Sequence, residues 1–249
     1  MNKILQQIKR KLRKKGVLKV LGYIILSFID PLIRKVWKEP FLKTYSQKGE
    51  DIIIDKLLNN KKSGFYIDIG ANDPDHLNNT KRFYNKGWHG INIEPNPILY
   101  YKLNKKRGRD INLNIGISDN NKTIPFYILE QDTLSTFSKR QVEDMKKEGI
   151  AVKKILMIKT HTLKYVLNKH VKTSKIDFMS IDTEGYDLIV LNTNDWEKFK
   201  PKILCIEATQ FREKNKETKI NNFLKVLGYK KYINTIHFGE SLNSIFIQI

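Results

Sequence analysis

The sequence predicts an α/β protein with a mostly parallel sheet and a terminal antiparallel hairpin, and three observations support this fold class. From about residue 50, short apolar runs alternate with helix-like stretches, which is typical of parallel α/β architecture. The run Phe65–Ile69 leads through Gly70 into a turn, and a second run ends in an acid, Glu94, 24 residues later. The last two β-like runs, residues 229–234 and 244–249, have no helix between them and therefore predict a hairpin.

The individual elements follow from local patterns along the chain. Helices are predicted where apolar residues recur at helical spacing, and glycines at positions 87, 108 and 228 mark three helix ends. Strands are predicted from short apolar runs, of which residues 111–117 show the clearest alternation. The charged stretch 138–149 is interpreted as a helix or flap over the site. Predicted helices are 51–58, 76–85, 97–106, 162–167, 186–192 and 220–227, and predicted strands are 65–69, 91–94, 111–117, 123–129, 154–160, 176–181, 203–206, 229–234 and 244–249.

Composition limits the class of protein. The 249 residues suffice for one large domain or a domain with an appendage, and a mean hydropathy of -0.47 argues against a polytopic membrane protein. The net charge of +20 favours an anionic partner, although a general abundance of lysine explains part of it. The single cysteine, Cys205, excludes disulfides and cysteine metal clusters and permits a reducing compartment. We therefore expect a cytoplasmic protein, either free or peripherally bound to the inner face of the membrane.

Residues 1–42 are predicted to form a basic amphipathic helical segment, separate from the α/β domain at 43–249. Residues 1–40 hold eleven Lys and Arg against two acids. The apolar run at 17–29 is only 13 residues long, whereas a spanning helix needs about 20. Such a segment suits an anionic membrane surface. Two alternatives stay open, namely helices packed on the domain and a signal peptide without an evident cleavage site.

The turn after the first strand suggests the kind of ligand. Nucleoside-binding sheets place an acid about 20 residues past a glycine turn, where it accepts bonds from ribose hydroxyls, and Glu94 fits that role. The turn lacks the glycines of a pyrophosphate cradle, and the charges of Asp73 and Asp75 would repel a phosphate. A nucleoside ligand with positive charge and no pyrophosphate is therefore expected, and S-adenosylmethionine meets this description.

Five segments together resemble the FkbM family of S-adenosylmethionine-dependent methyltransferases. They are residues 45–51 (YSQKGED), 65–72 (FYIDIGAN), 79–80 (NT), 87–96 (GWHGINIEPN) and 177–185 (DFMSIDTEG). The resemblance implies a class I, Rossmann-like methyltransferase fold and O-methylation of a hydroxyl, commonly on a sugar, glycan or polyketide-like compound. It also implies that Asp68, Gly70, Asn72 and Glu94 line the cofactor site. We expect their neighbours Ala71, Pro95 and Asn96 to bind the cofactor with them.

Acids at the carboxyl ends of later strands are the candidates for catalysis. A hydroxyl acceptor must lose its proton, usually to a carboxylate or histidine, and open α/β sheets bind ligands at this edge. Asp182 and Glu184 follow the fourth core strand and are predicted to be catalytic; Glu207 follows the fifth. Asp182 and Glu184 alternatively cap the helix that follows. We assign no metal, and a divalent cation held by Asp182 and Glu207 stays open as an alternative.

The expected substrate is a small molecule or glycan, most simply a saccharide or glycolipid hydroxyl. A nicotinamide-dependent Rossmann reductase is the alternative enzyme class, but the missing phosphate-binding glycines and the terminal hairpin disfavour it. A non-enzymatic basic module that binds membrane or nucleic acid explains the charge but not the acids. Nucleic acid is not an expected partner, because basic and aromatic residues do not interleave as in RNA-binding proteins.

Overall fold

The structure is a computed structural model that describes residues 43–172, 175–207, 215–237 and 240–249. The basic segment predicted at residues 1–42 lies outside the described residues, so its helical character and its separation from the domain stay predictions. In the described part of the chain, no helix is long and apolar enough to cross a membrane.

The described residues form two sheets. Most strands of the larger sheet are followed along the chain by a helix. The strands are β1 Phe65–Ile69, β2 His89–Ile93, β3 Ile111–Leu113, β4 Gly116–Ile117, β5 Thr123–Leu129, β6 Val152–His161, β7 Phe178–Ile181, β8 Ile203–Glu207, β9 Tyr229–His237 and β10 Glu240–Gln248. The helices are α1 Glu50–Leu57, α2 Lys81–Asn85, α3 Pro97–Lys106, α4 Lys139–Lys147, α5 Leu163–His170, α6 Asp187–Asn192 and α7 Lys216–Val226, with a 3-10 turn at Asp132–Leu134.

The larger sheet has seven strands in the order β3-β2-β1-β7-β8-β10-β9. The first five of these run parallel, and β10 runs antiparallel to both of its neighbours. This arrangement confirms the predicted fold class: a mostly parallel α/β sheet that ends in an antiparallel hairpin. A parallel sheet must be covered on both faces, which explains the apolar runs of its strands.

Alternate residues of the central strands fill two cores, one on each face of this sheet. Ile67 and Met179 face the helices α5, α6 and α7, whereas Tyr66 and Phe178 face α1 and α2. Trp88, fully buried, donates its indole N–H to the carbonyl of Lys61 at 3.1 Å and fills the second core. Two-sided burial holds the strand ends in fixed positions, and these ends carry the candidate site.

Several predicted elements have different bounds in the structure, among them the following three. The helix predicted at 76–85 starts only at Lys81, because Asp73 accepts the amides of residues 75 and 76 and so holds a turn there. The predicted strand 111–117 is divided between the two sheets, since the Asn114 side chain donates to the carbonyls of Glu94 and Pro95 at 2.9 and 3.0 Å. The helix predicted at 220–227 begins earlier, at Lys216.

The smaller sheet, β4-β6-β5, is formed by the chain segment between β3 and β7, two strands of the parallel sheet. It packs around Phe126, Phe137 and Ile158. Helix α4 lies within this segment and is capped at its N-terminus by Ser138, whose hydroxyl accepts the Gln141 amide at 3.2 Å. The charged stretch predicted as a helix or flap is therefore a helix.

Candidate active site

The central parallel strands end in register with one another, and this places the predicted acids along one edge of the sheet. Ile69 pairs with Ile93 on one side and Ile181 on the other, and Ile181 pairs with Ile206. The next residue of each strand therefore emerges at the same edge: Gly70, Glu94, Asp182 and Glu207. Ligands of open α/β sheets bind at this carboxyl edge.

Gly70 makes the turn between β1 and the loop that follows. Its φ of +81° is in the left-handed region that glycine adopts freely. The amides of Gly70 and Ala71 both donate to the carbonyl of Ile93, at 2.9 and 3.2 Å. A Cβ on Gly70 would lie 1.8 Å from the carbonyl oxygen of Asp182, so the two loops approach each other through this glycine.

Glu94 fastens two backbone segments with its carboxylate. One oxygen accepts the amide of Asn72 and the other the amide of Asn96, each at 2.8 Å. The side chain of Asn96 in turn accepts the Ile98 amide at 3.1 Å and caps helix α3. Asn72 has a φ of +50°, a conformation that asparagine tolerates better than most residues. Burial raises the pKa of Glu94 to about 7, against the opposing effect of these two amides.

Asp68, the second buried acid, lies within β1. Its carboxylate accepts the hydroxyl of Thr80 at 2.7 Å. Burial raises the pKa of Asp68 to about 6, and the bond from Thr80 opposes the rise. The structure thus brings Asp68, Gly70, Ala71, Asn72, Glu94, Pro95 and Asn96 to the ends of β1 and β2, where the sequence places them.

The acids of the turn differ from the expectation. Asp73 pairs with Lys102 at 3.2 Å, and Asp75 pairs with Lys81 at 2.7 Å and with Lys106. The bonds from these lysines lower the pKa of Asp75 to about 2. Because the lysines compensate both charges, the expected repulsion of a phosphate by this turn is not supported. The shortage of glycines in the turn still disfavours a pyrophosphate ligand.

Asp182, Glu184 and Glu207 form an acidic cluster, with one carboxylate oxygen from each within 4.8 Å of the others. Burial, followed by the charges of Glu207 and Glu184, raises the pKa of Asp182 well above its usual range. The capping interpretation of Asp182 is not supported, because α6 starts at Asp187 and it is Asp187 that accepts the Thr183 amide at 3.0 Å. Glu184 accepts a bond from the Gln141 side chain at 2.6 Å.

Lys216 supplies the positive charge beside this cluster. Its ammonium group lies 2.7 Å from Asp187 and 2.9 Å from Glu207, and the side chain is almost fully buried. The two carboxylates raise the pKa of Lys216 although burial opposes this. Sequence reasoning missed Lys216, since a single lysine in a lysine-rich chain carries no signal. Gln141 was missed for a similar reason, as its partner Glu184 is 43 residues away.

The seven-stranded sheet with its reversed last strand and acid-bearing carboxyl edge defines a class I methyltransferase architecture.

Comparison with known families agrees with this class. The model of the "Methyltransferase FkbM domain" matches residues 68–231. The chain therefore belongs to the FkbM methyltransferase domain family, as the sequence resemblance predicted. A search of curated proteins found no significant match.

Several solved methyltransferase structures are similar to the chain at low identity. Methyltransferase FkbM from Methylobacillus flagellatus is 14% identical over 75% of this chain and 44% of its own, with a TM-score of 0.48. The chain thus spans less than half of that protein. A putative caffeoyl-CoA O-methyltransferase from Staphylococcus aureus is 10% identical over 91% of each chain, with a TM-score of 0.46. A Burkholderia thailandensis 1,6-didemethyltoxoflavin-N1-methyltransferase with bound S-adenosylhomocysteine is 9% identical over 91% of this chain and 86% of its own, with a TM-score of 0.43.

Proposed function

We propose that this protein transfers a methyl group from S-adenosylmethionine to a hydroxyl oxygen of a saccharide or glycolipid. The observation that carries the proposal is the edge where β1, β2 and β7 end around the Gly70 turn. Three buried or partly buried acids, Asp68, Glu94 and Asp182, meet there. Such an edge suits a nucleoside that carries a positive charge.

The residues at this edge fit the proposed cofactor. Glu94 is held rigidly by two amides, and each carboxylate oxygen keeps a second lone pair with which to accept a ribose hydroxyl. Gly70, Ala71, Asn72, Pro95 and Asn96 would form the backbone wall around it, and Asp68 would attract the ammonium group of the methionine portion. When bound, S-adenosylmethionine supplies a methyl group already activated by a sulfonium.

Asp182 is the proposed base for the acceptor hydroxyl. A carboxylate whose pKa lies above its usual range is a stronger base near neutral pH, provided that it is ionised. Lys216 favours the ionised state, because its positive charge lowers the pKa of Asp182. Glu184, fixed by Gln141 and by a bond from the Thr136 hydroxyl to its carbonyl at 2.7 Å, would orient the acceptor.

A saccharide or glycolipid acceptor is proposed from the charge of the chain and from the acids of the site, which can accept bonds from sugar hydroxyls. The basic segment 1–42 would hold the enzyme at an anionic membrane surface, at the inner face of the membrane, where lipid-linked glycans are accessible. Nucleic acid and a metal ion have no place in this proposal.

Calorimetry with the full chain tests the cofactor. S-adenosylhomocysteine should bind and NADH should not; binding of NADH alone would return the protein to the reductase class, and binding of neither would favour a non-enzymatic module. Glu94→Gln should weaken S-adenosylhomocysteine at least 10-fold, which is ~1.4 kcal/mol. The exposed Glu143→Gln on α4 is the matched control and should bind normally.

Radiolabelled methyl transfer tests the acceptor. The enzyme is incubated with labelled S-adenosylmethionine and a glycolipid fraction, and the products are hydrolysed in acid. Label in a methylated monosaccharide supports the proposal, whereas label in an amine or a nucleotide contradicts it. Asp182→Asn should lower the rate by roughly 10²–10⁴-fold, the range of general-base catalysis, and still bind S-adenosylhomocysteine.

A further inference from the structure

The segment from β6 through α5 has an unusual composition. Residues 152–172 contain six lysines and neither Asp nor Glu. Lys153, Lys154 and Lys159 are exposed, and no acid pairs with them among the described residues. Local positive charge of this density attracts an anionic partner.

One face of β6 combines this charge with exposed apolar side chains. Alternate residues of a strand share a face, so Lys153, Ile155, Met157, Lys159 and His161 lie together; this set is the β6 outer face. Ile155 is 55% exposed and Met157 63% exposed. The opposite face of the strand carries the buried Ile158, which packs on Phe126. The inner side of the smaller sheet is therefore covered, whereas on the outer side β6 presents Ile155 and Met157 to water.

Helix α5 extends this face with an aromatic ring. Tyr165 stacks on His161 with ring centroids 4.6 Å apart, and it is 44% exposed. A surface that carries an exposed tyrosine together with exposed aliphatic groups and lysines is the combination found where proteins rest on lipid headgroups. Neighbouring exposed apolar side chains of this kind mark interaction surfaces.

We infer that the β6 outer face, together with Tyr165, is a docking surface for an anionic lipid bilayer. Ile155 and Met157 would enter the headgroup layer, and Lys153 and Lys159, which bracket them on the same face, would contact lipid phosphates. Charge alone would suit a nucleic acid equally well. Two adjacent aliphatic side chains are what a lipid surface accommodates and a phosphate backbone does not.

This surface is connected to the acidic cluster through the smaller sheet. Tyr127 of β5 lies opposite Ile155 and exchanges backbone bonds with Thr136 at 2.9 and 3.1 Å. The Thr136 hydroxyl then donates to the carbonyl of Glu184. Docking by the folded domain would thus act near the acceptor side of the site, independently of residues 1–42.

A fluorescent reporter tests the orientation of the bound protein. Cys205 is buried, so Met157→Cys in the full chain gives a single reactive thiol for an environment-sensitive dye. Val226→Cys on α7 is the control, because Val226 is 88% exposed and α7 packs on β9, an edge strand of the seven-stranded sheet and not part of the smaller sheet. Phosphatidylglycerol vesicles should shift the emission of the dye at 157 to the blue, and phosphatidylcholine vesicles should not. The dye at 226 should not respond to either.

Four results would overturn the inference. They are a silent dye at 157 while the protein sediments with the vesicles, an equal response at both positions, a response at 157 to an oligonucleotide but not to vesicles, and a dye already blue-shifted in buffer. Vesicle binding supplies a second measurement. Lys153→Gln/Lys159→Gln in the full chain should weaken binding about 30-fold at low salt, from ~1 kcal/mol per lysine. Unchanged binding would contradict the inference.

Discussion

Gly70 and the backbone carbonyl of Asp182 are so close that a Cβ on residue 70 would lie 1.8 Å from that oxygen. The cofactor turn and the acidic loop are therefore packed backbone against backbone, with no side chain between them. This contact links the proposed cofactor side and the proposed base.

Gly70→Ala should disrupt both loops. The added methyl group cannot be accommodated without moving the Asp182 backbone, and the positive φ costs about 1 kcal/mol in addition. We expect a loss of about 3 kcal/mol or more in the free energy of unfolding, measured by urea denaturation, and loss of S-adenosylhomocysteine binding.

Gly87→Ala is the matched control, since Gly87 has a φ of +94° but nothing within 4 Å of its added Cβ. It should cost only about 1 kcal/mol, the conformational part alone. Equal stability of the two variants would contradict the close contact.

The buried acid Glu94 should make stability depend on pH. Its pKa is about 7 in the folded protein against an ordinary 4.5, so the folded state holds a proton that the unfolded state has lost between these values. Stability is therefore full below about pH 4.5 and decreases as pH rises to 7, by on the order of 3 kcal/mol from this group.

Urea denaturation at pH 5 and pH 7.5 measures this effect. Glu94→Gln has no proton to lose and should show a smaller decrease across the interval than the unaltered protein. Glu143→Gln, an exposed change, should leave the decrease as it is. If Glu94→Gln shows the same decrease, the carboxyl is not buried as described.

Removal of the ammonium group of Lys216 should be costly. Lys216→Met leaves Asp187 and Glu207 without their shared cation in a buried place, and breaking such a pair costs about 3–5 kcal/mol. The variant should recover part of its stability from pH 7.5 to 5.5, because the acids then take up protons.

Lys225→Met on the same helix, at an exposed position, controls for the loss of a lysine and should cost less than about 0.5 kcal/mol. A Lys216→Met protein of ordinary stability with no recovery in acid would show that the ion pairs are unimportant.

The sequence predicted those features that depend on short-range patterns. The strands β1 and β7, the Gly70 turn and the acid at Glu94 follow from apolar runs that end in a glycine or a carboxylate, and the structure brings these ends together. The predicted start of α2, at residue 76, was wrong, because hydrogen bonds of the Asp73 and Asn78 side chains hold a turn that helix periodicity does not reveal.

Features that depend on long-range partners were out of reach of sequence patterns. Lys216 becomes part of the site only because α7 brings it to Glu207 and Asp187. The lysine partners of Asp73 and Asp75 lie on helices α2 and α3, so the turn looked more negative in the sequence than it is in the fold.

The chain segment that forms the smaller sheet begins and ends at neighbouring points of the fold, since Gly116 pairs with Thr160 and Ile117 with His161. The pairing of β4 with β6 thus holds the two ends of this segment side by side. The residues between these ends can be lengthened, shortened or exchanged without moving the strands that hold Asp68 and Glu94. This segment is therefore where the substrate selectivity of the enzyme can be changed independently of the cofactor site.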